Sequence, residues 1–264
     1  MSADITIRLI IAVYKNTTFL KKVLDSVEQQ SYRNFVVTIV EDGNSEVMRN
    51  FVQQINYSFS ITHYTQEDIG FRKNKILNVA LREATEDLCV FIDGDCVLHP
   101  SYLKTYVKYF DPNRVLYAKR TNLDKKTSEK LLQSNNIIPS KWGMILNGST
   151  RVEDSFRLPW KPIKLKKNPN IIGCNMAIPL HILKTVNGFD EDYEITGYGE
   201  DCDIEWRMKK AGFKFIDLKF HVIQFHLYHE RPEREDQTAI SRKMYHEKIE
   251  LGAVFCKNGL LKSF

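Results

Sequence analysis

Along the first hundred positions, short apolar runs alternate with stretches in which apolar residues return every three or four places. Residues 7–13 and 35–40 are strand-like runs, and residues 19–29 and 47–55 carry helical period. Residues 61–64 read as a further strand, residues 74–84 repeat apolar side chains at 76, 77, 80 and 81 as a helix does, and residues 88–92 are a short buried strand. This alternation predicts an α/β fold, a mostly parallel sheet wrapped by helices. Ligands of such sheets bind beyond the carboxyl ends of the strands, where Tyr14, Asp42, Thr65 and Asp93 stand.

After Phe110 the pattern loosens. Residues 124–135 can form a helix, whereas 136–170 mix Pro, Gly, Trp and Lys with little period and read as an inserted, partly mobile region. Trp142 and Trp160 within it either line an acceptor groove or pack locally. Beyond it the pattern predicts a strand over 171–178, a short helix over 181–186, a Gly-rich turn through Gly199 and a helix over 201–211. Strands over 214–216 and 220–225 follow, then a helix over 237–256 that packs on the domain.

A chain of 264 residues, 43% hydrophobic, can bury a sizeable core as a single domain. Its apolar runs stay well short of the roughly 18 to 20 residues of a membrane span, and residues 1–6 lack the basic and apolar regions of a signal peptide, so a cytoplasmic location is expected. Cys89, Cys96, Cys174, Cys202 and Cys256 are scattered without C-x-x-C spacing and read as reduced thiols. The net charge of +5 is uneven, with lysines concentrated in 161–167 and 119–130. Such clusters suit either an anionic partner or a solvated surface, and nucleic acid is not expected.

Three constellations carry candidate chemistry. In Val90-Phe91-Ile92-Asp93-Gly94-Asp95 a hydrophobic strand ends in two carboxylates around a glycine that permits a sharp turn. Such a pair can hold Mn²⁺ or Mg²⁺ with positions left for water and phosphate, although an Asp-Gly turn alone is common. In Gly197-Tyr198-Gly199-Glu200-Asp201-Cys202-Asp203, acids at a helix start cap amides and complement the dipole. They also suit a general base facing a sugar hydroxyl, with Asp201 the first choice and Glu200 beside it. In Phe225-His226-Leu227-Tyr228-His229-Glu230, either imidazole could complete an oxygen-rich metal site; the three-residue spacing leaves the choice open, with His229 slightly preferred.

On these residues the chain resembles the family 2 glycosyltransferases, whose fold is the nucleotide-diphospho-sugar transferase fold called GT-A. Residues 10–16, 20–30 and 40–45 look like that family's nucleotide-binding half. The likeness implies that Asp42 contacts a uracil, that Val13 and Tyr14 line its pocket, and that Asp93 and Gly94 lie beside the nucleotide. The run Gln66-Glu67-Asp68-Ile69-Gly70-Phe71-Arg72-Lys73-Asn74-Lys75 resembles the loop and helix near ribose and phosphates, which places Gln66, Arg72 and Lys75 there. Residues 173–179, 187–190 and 197–203 look like the acceptor-side signature of galactosyltransferases and chondroitin-type polymerases, with Cys174 where relatives often have a second glycine. Residues 228–232 look like those polymerases' metal-histidine region. The resemblance divides the chain into a nucleotide-sugar half, 1–110, and an acceptor-binding and catalytic half, 111–264.

The implied activity is inverting transfer of a hexose or N-acetylhexosamine from a UDP-sugar to a saccharide or lipid-linked saccharide, assisted by Mn²⁺ or Mg²⁺. Peripheral contact with an anionic inner-membrane face through Lys161, Lys164, Lys166 and Lys167 is compatible with it. A nucleotidyltransferase is the rival enzyme, but it should carry a glycine-rich phosphate loop after the first strand, where this chain reads Tyr14-Lys15-Asn16-Thr17-Thr18. A non-catalytic carbohydrate- or nucleotide-binding protein would have no need of Asp93, Asp95 and Asp201.

Overall fold

Alternate side chains of the first strand enter two different cores: Leu9 and Ile11 pack with one apolar cluster, Ile10 with the other. That period of two on a strand buried on both faces is what a central sheet position requires. In the computed structural model, which describes residues 4–195, 199–230 and 235–262, this strand is β1 (Ile7–Val13). The chain continues through α1 (Thr17–Glu28), β2 (Phe35–Glu41), α2 (Glu46–Gln54), β3 (Ile61–Thr65), α3 (Lys73–Arg82) and β4 (Leu88–Asp93). β1 pairs in parallel with both β2 and β4, and β3 extends the parallel ladder from β2. The expected α/β alternation is therefore present, each element within two residues of its predicted bounds.

The sheet then becomes mixed. β5 (Cys96–Leu98), α4 (Tyr102–Lys108), β6 (Arg114–Tyr117) and β7 (Thr121–Asn122) lead into α5 (Lys125–Gln133) and α6 (Lys141–Leu146), followed by a 3-10 turn (Val152–Ser155) and β8 (Lys164–Lys166). β9 (Met176–Pro179), α7 (Leu180–Thr185), α8 (Glu200–Lys210), β10 (Lys214–Asp217), β11 (Gln224–His226) and α9 (Glu235–Leu251) complete it. The large sheet has the order β3-β2-β1-β4-β9-β6-β10-β8, with β9 antiparallel to β4 and β6; β5, β11 and β7 form a small second sheet. α1 packs on one face of the large sheet, and α3, α7 and α8 on the other.

Three expectations shift in the structure. The strand predicted over 171–178 is confined to Met176–Pro179, because Asn175 turns inward: its Oδ1 accepts from the hydroxyls of Tyr102 and Tyr106 at 2.8 and 2.7 Å, and its side-chain amide donates to the Lys119 carbonyl. The strand predicted over 220–225 begins only at Gln224; Phe220 has φ +69°, and the Leu218 carbonyl accepts from the amides of His221 and Val222. α9 ends at Leu251, before Gly252 at φ +69°. The region expected to be irregular, 136–170, contains α6, the 3-10 turn and β8, while Trp142 and Trp160 are each 75% exposed. Among the described residues no helix is long and apolar enough to cross a membrane.

Candidate active site

β4 delivers Asp93 to the carboxyl edge of the sheet, beside the end of β1. The Gly94 amide donates to the Ala12 carbonyl at 2.7 Å, and a Cβ at Gly94 would lie 2.8 Å from Val13 Cγ1. Only glycine allows the chain to turn this closely against β1. The turn presents Asp95, after which β5 pairs antiparallel with β11 in a register that sets Cys96 opposite His226. The Leu227 amide also donates to the Asp95 carbonyl at 2.9 Å. Sheet pairing thus carries the distant segment 226–229 to the end of β4.

There the Nε2 atoms of His226 and His229 lie 3.3 and 3.2 Å from the same carboxylate oxygen, Asp95 Oδ2. His229 Nδ1 stands 3.0 Å from the Glu230 carbonyl. A carbonyl only accepts, so the Nδ1 that faces it carries a proton, which leaves Nε2 as the nitrogen turned toward Asp95. Burial pushes His226 down toward its neutral form, against the pull of Asp95. Burial also opposes ionisation of Asp95, yet its hydrogen bonds with the two imidazoles prevail and hold the carboxyl well below the usual range. The ligand atoms of Asp95, His226 and His229 all lie within 4.8 Å of one another, and one carboxylate oxygen with two imidazoles is a donor set that suits Mn²⁺. The residues present therefore fit the expected metal.

Asp93 points elsewhere. Its Oδ1 pairs with Lys73 Nζ at 2.6 Å and its Oδ2 lies 3.7 Å from Arg120 Nη1. Burial works against the charge of Lys73, but Asp93, Asp201 and Glu200 outweigh it and raise its pKa. Lys73 is therefore the electrostatic link between the end of β4 and the start of α8. At that helix, Asp201 Oδ2 accepts from the Gly173 amide at 2.7 Å. Burial raises the Asp201 pKa, and burial together with the Asp201 charge pushes Glu200 up to about 7. Glu200 Oε2 is buried without a hydrogen-bond partner among the described residues.

These groups meet at a cleft of about 830 Å³. Of the residues named from sequence, Val13, Tyr14, Asp42, Asp93, Gly94, Asp95, His226 and His229 line it. Gln66 and Arg72 stand behind Asp42, whose two oxygens accept from Gln66 Nε2 and the Arg72 amide, each at 2.7 Å. Asp42 thereby fixes the loop from which Gly70 and Phe71 reach the cleft. Lys75 is exposed and outside the lining, whereas Lys73, Arg120, Asn16 and Glu230, not foreseen from sequence, are part of it. Helical period was a signal for Lys73, since it stands three and four positions before the buried Ile76 and Leu77. Glu200 and Asp201 lie just outside the lining. Gly197 and Tyr198 of the Gly-aromatic-Gly run, and Arg231 and Pro232, fall outside the described residues.

Residues 4–146 match the family described as glycosyltransferase like family 2. The chain belongs to glycosyltransferase family 2. Residues 162–231 of this family 2 chain match a second family, described as the N-terminal domain of galactosyltransferase. The chain is 25% identical over 275 residues to chondroitin synthase from Pasteurella multocida, covering 94% of this chain and 28% of that one. It is 22% identical over 226 residues to validoxylamine A glucosyltransferase from Streptomyces hygroscopicus, covering 77% of this chain and 51% of the relative. It thus spans about a quarter to a half of these relatives' lengths. A mannosyltransferase from Pyrobaculum calidifontis, solved with GDP-Man and Mn²⁺, superposes with a TM-score of 0.59 at 16% identity, over 94% of this chain and 64% of that one. TarS from S. aureus, solved with UDP-GlcNAc, superposes with a TM-score of 0.62 at 17% identity, over 97% and 68%. The fold is GT-A, a mostly parallel sheet flanked by helices in a single domain.

Proposed function

We propose that this chain is an inverting glycosyltransferase that moves a hexose or N-acetylhexosamine from a UDP-sugar to a saccharide acceptor with the help of Mn²⁺ or Mg²⁺. The observation that carries the reading is the convergence of His226 and His229 on Asp95 in a cleft that also contains Asp42. Asp95 Oδ2 and the two Nε2 atoms would hold the metal, which when bound supplies positive charge to the departing diphosphate. Lys73 and Arg120 add fixed positive charge to the cleft wall, and pairing with Asp93 orients both. Asp42, locked by Gln66 and the Arg72 amide, presents the wall on which the uracil rests. At the start of α8, Asp201 or Glu200 takes the proton of the acceptor hydroxyl as it attacks. Their raised pKa values make them stronger bases than ordinary carboxylates, and the Gly173 amide fixes the angle of Asp201.

A carboxylate base that takes the proton of the acceptor hydroxyl corresponds to single displacement, so an α-linked donor yields a β-linked product. Proton NMR of the product's anomeric coupling checks this, and an α-linked product would overturn the inverting assignment. The two halves, 1–110 for the donor and 111–264 for the acceptor, belong to this proposal, as does lipid-linked acceptor at an anionic membrane surface. Lys164 and Lys166 on β8 are exposed beside exposed Leu165 and Trp160, which suits such a surface. Sedimentation with anionic vesicles at physiological salt should carry the protein down, and recovery in the supernatant would remove the membrane from the proposal.

A further inference from the structure

Two thiols of this chain sit at the junction between the metal-holding carboxylate and the candidate base. Cys96 and Cys174 are 0% and 3% exposed, and their sulfurs, with an oxygen of Asp93, all lie within 4.8 Å of one another. Arg120 Nη1 donates to Cys174 Sγ at 2.7 Å and points at Cys96 Sγ at 3.7 Å. Cys96 Sγ in turn donates to Asp95 Oδ1 at 3.1 Å. Cys174 directly follows Gly173, whose amide holds Asp201, and its own carbonyl accepts from Gln224 Nε2 at 2.8 Å, two residues before His226. Arg120 and Asp93 line the cleft, so the dithiol is one side chain removed from solvent-filled space.

We propose that Cys96 and Cys174 form an oxidation site, a dithiol that closes to a disulfide under hydrogen peroxide. The Cys174 sulfur attacks one peroxide oxygen, breaking the O–O bond; hydroxide leaves, takes up the thiol proton as water, and Cys174 becomes a sulfenic acid. The Cys96 sulfur then attacks the Cys174 sulfur, the S–O bond breaks, and the Cys96 proton leaves with the oxygen as a second water. Two thiols are oxidised and one peroxide is reduced to two waters. A disulfide needs the sulfurs at about 2.0 Å, so closure pulls β5 and the 171–175 turn together. It also removes the Cys96 hydrogen bond to Asp95 and the Arg120 contact with Cys174. Asp95 and, through Gly173, Asp201 are thereby disturbed by one bond. The closure itself stands on geometry alone; its effect on transfer rests on the metal-and-base reading above.

The test treats the full chain with hydrogen peroxide and maps peptides without reduction. The expected result is an intact mass lower by two hydrogens and a peptide linking Cys96 to Cys174, with Cys89, Cys202 and Cys256 unlinked. Mn²⁺ affinity should fall at least tenfold and return with dithiothreitol, while Cys174→Ala and Cys174→Ser keep their Mn²⁺ affinity through the same treatment. A sulfinic acid on Cys174 with no linked peptide would overturn the disulfide. A linked peptide with unchanged Mn²⁺ affinity would overturn the coupling to the site. Absence of Mn²⁺ binding before any oxidation would instead count against the metal reading and leave the peptide map to decide the dithiol.

Discussion

Glu200 shows how burial converts an acid in the first turn of a helix into a group that reports on pH. In the folded chain its pKa stands at about 7, against 4.5 for an ordinary glutamate. Between those values the unfolded chain has released the proton and the folded chain still holds it, so stability falls as pH rises from about 4.5 to 7 and stays lower above. Glu200→Gln should therefore leave stability at about pH 4 nearly unchanged and raise it at about pH 8 by roughly 1–3 kcal/mol. Urea unfolding at the two pH values checks the sign. At Gly173 a Cβ would come 2.3 Å from Asp201 Oδ1. Gly173→Ala must displace that carboxylate, and transfer should fall at least tenfold while UDP affinity stays within about twofold. The acids, the histidines and Gly94 were legible in the sequence because each stands in a short motif with its own chemistry. Lys73 and Arg120 were not: Lys75 has the same charge at nearly the same place, and Arg120 owes its role to a contact with Asp93, far from it in the chain.

Among the elements, the first seven were legible because strand-sized apolar runs alternate cleanly with period 3.6, and β1, β2 and β4 are buried on both faces. The second half was harder to read, since side chains override local pattern there. Asn175 breaks a strand-like run by satisfying two tyrosines, and β11 acquires its meaning only through its register with β5. α8 is held by a buried pair: Arg207 donates to Asp203 at 2.8 Å and also to the carbonyls of Val186 and Gly188. Burial alone would deprive Asp203 of its charge, and Arg207 opposes that. Arg207→Met leaves the carboxylate and two carbonyls without their donor, so it should cost about 3–5 kcal/mol. A lower urea midpoint at constant slope checks this. Because α8 begins with Glu200 and Asp201, Asp203→Asn, which keeps a polar partner for Arg207, should cost less in both stability and turnover.

At the scale of the whole molecule, the cleft joins the end of the parallel ladder to the segment that returns through β11, so a ligand bound there would stabilise the fold. Saturating UDP with Mn²⁺, at about a hundred times its dissociation constant, should add about 2.7 kcal/mol to unfolding. The same addition to Asp95→Ala should add about half of that or less, since even a tenfold loss of affinity cuts the gain to about 1.4 kcal/mol. The α/β architecture was legible from element order and GT-A from the family resemblance, whereas the candidate metal site required the three-dimensional meeting of residues 95, 226 and 229. The most direct measurement is transfer from a panel of UDP-sugars with Mn²⁺, comparing the native chain with Asp95→Ala and Asp201→Asn. One donor should be consumed and both variants should lose turnover by at least a hundredfold, with only Asp201→Asn retaining Mn²⁺-dependent UDP binding. Turnover by Asp201→Asn at the native rate, or UDP binding by the native chain that Mn²⁺ does not strengthen, would contradict the metal and base roles proposed for this cleft.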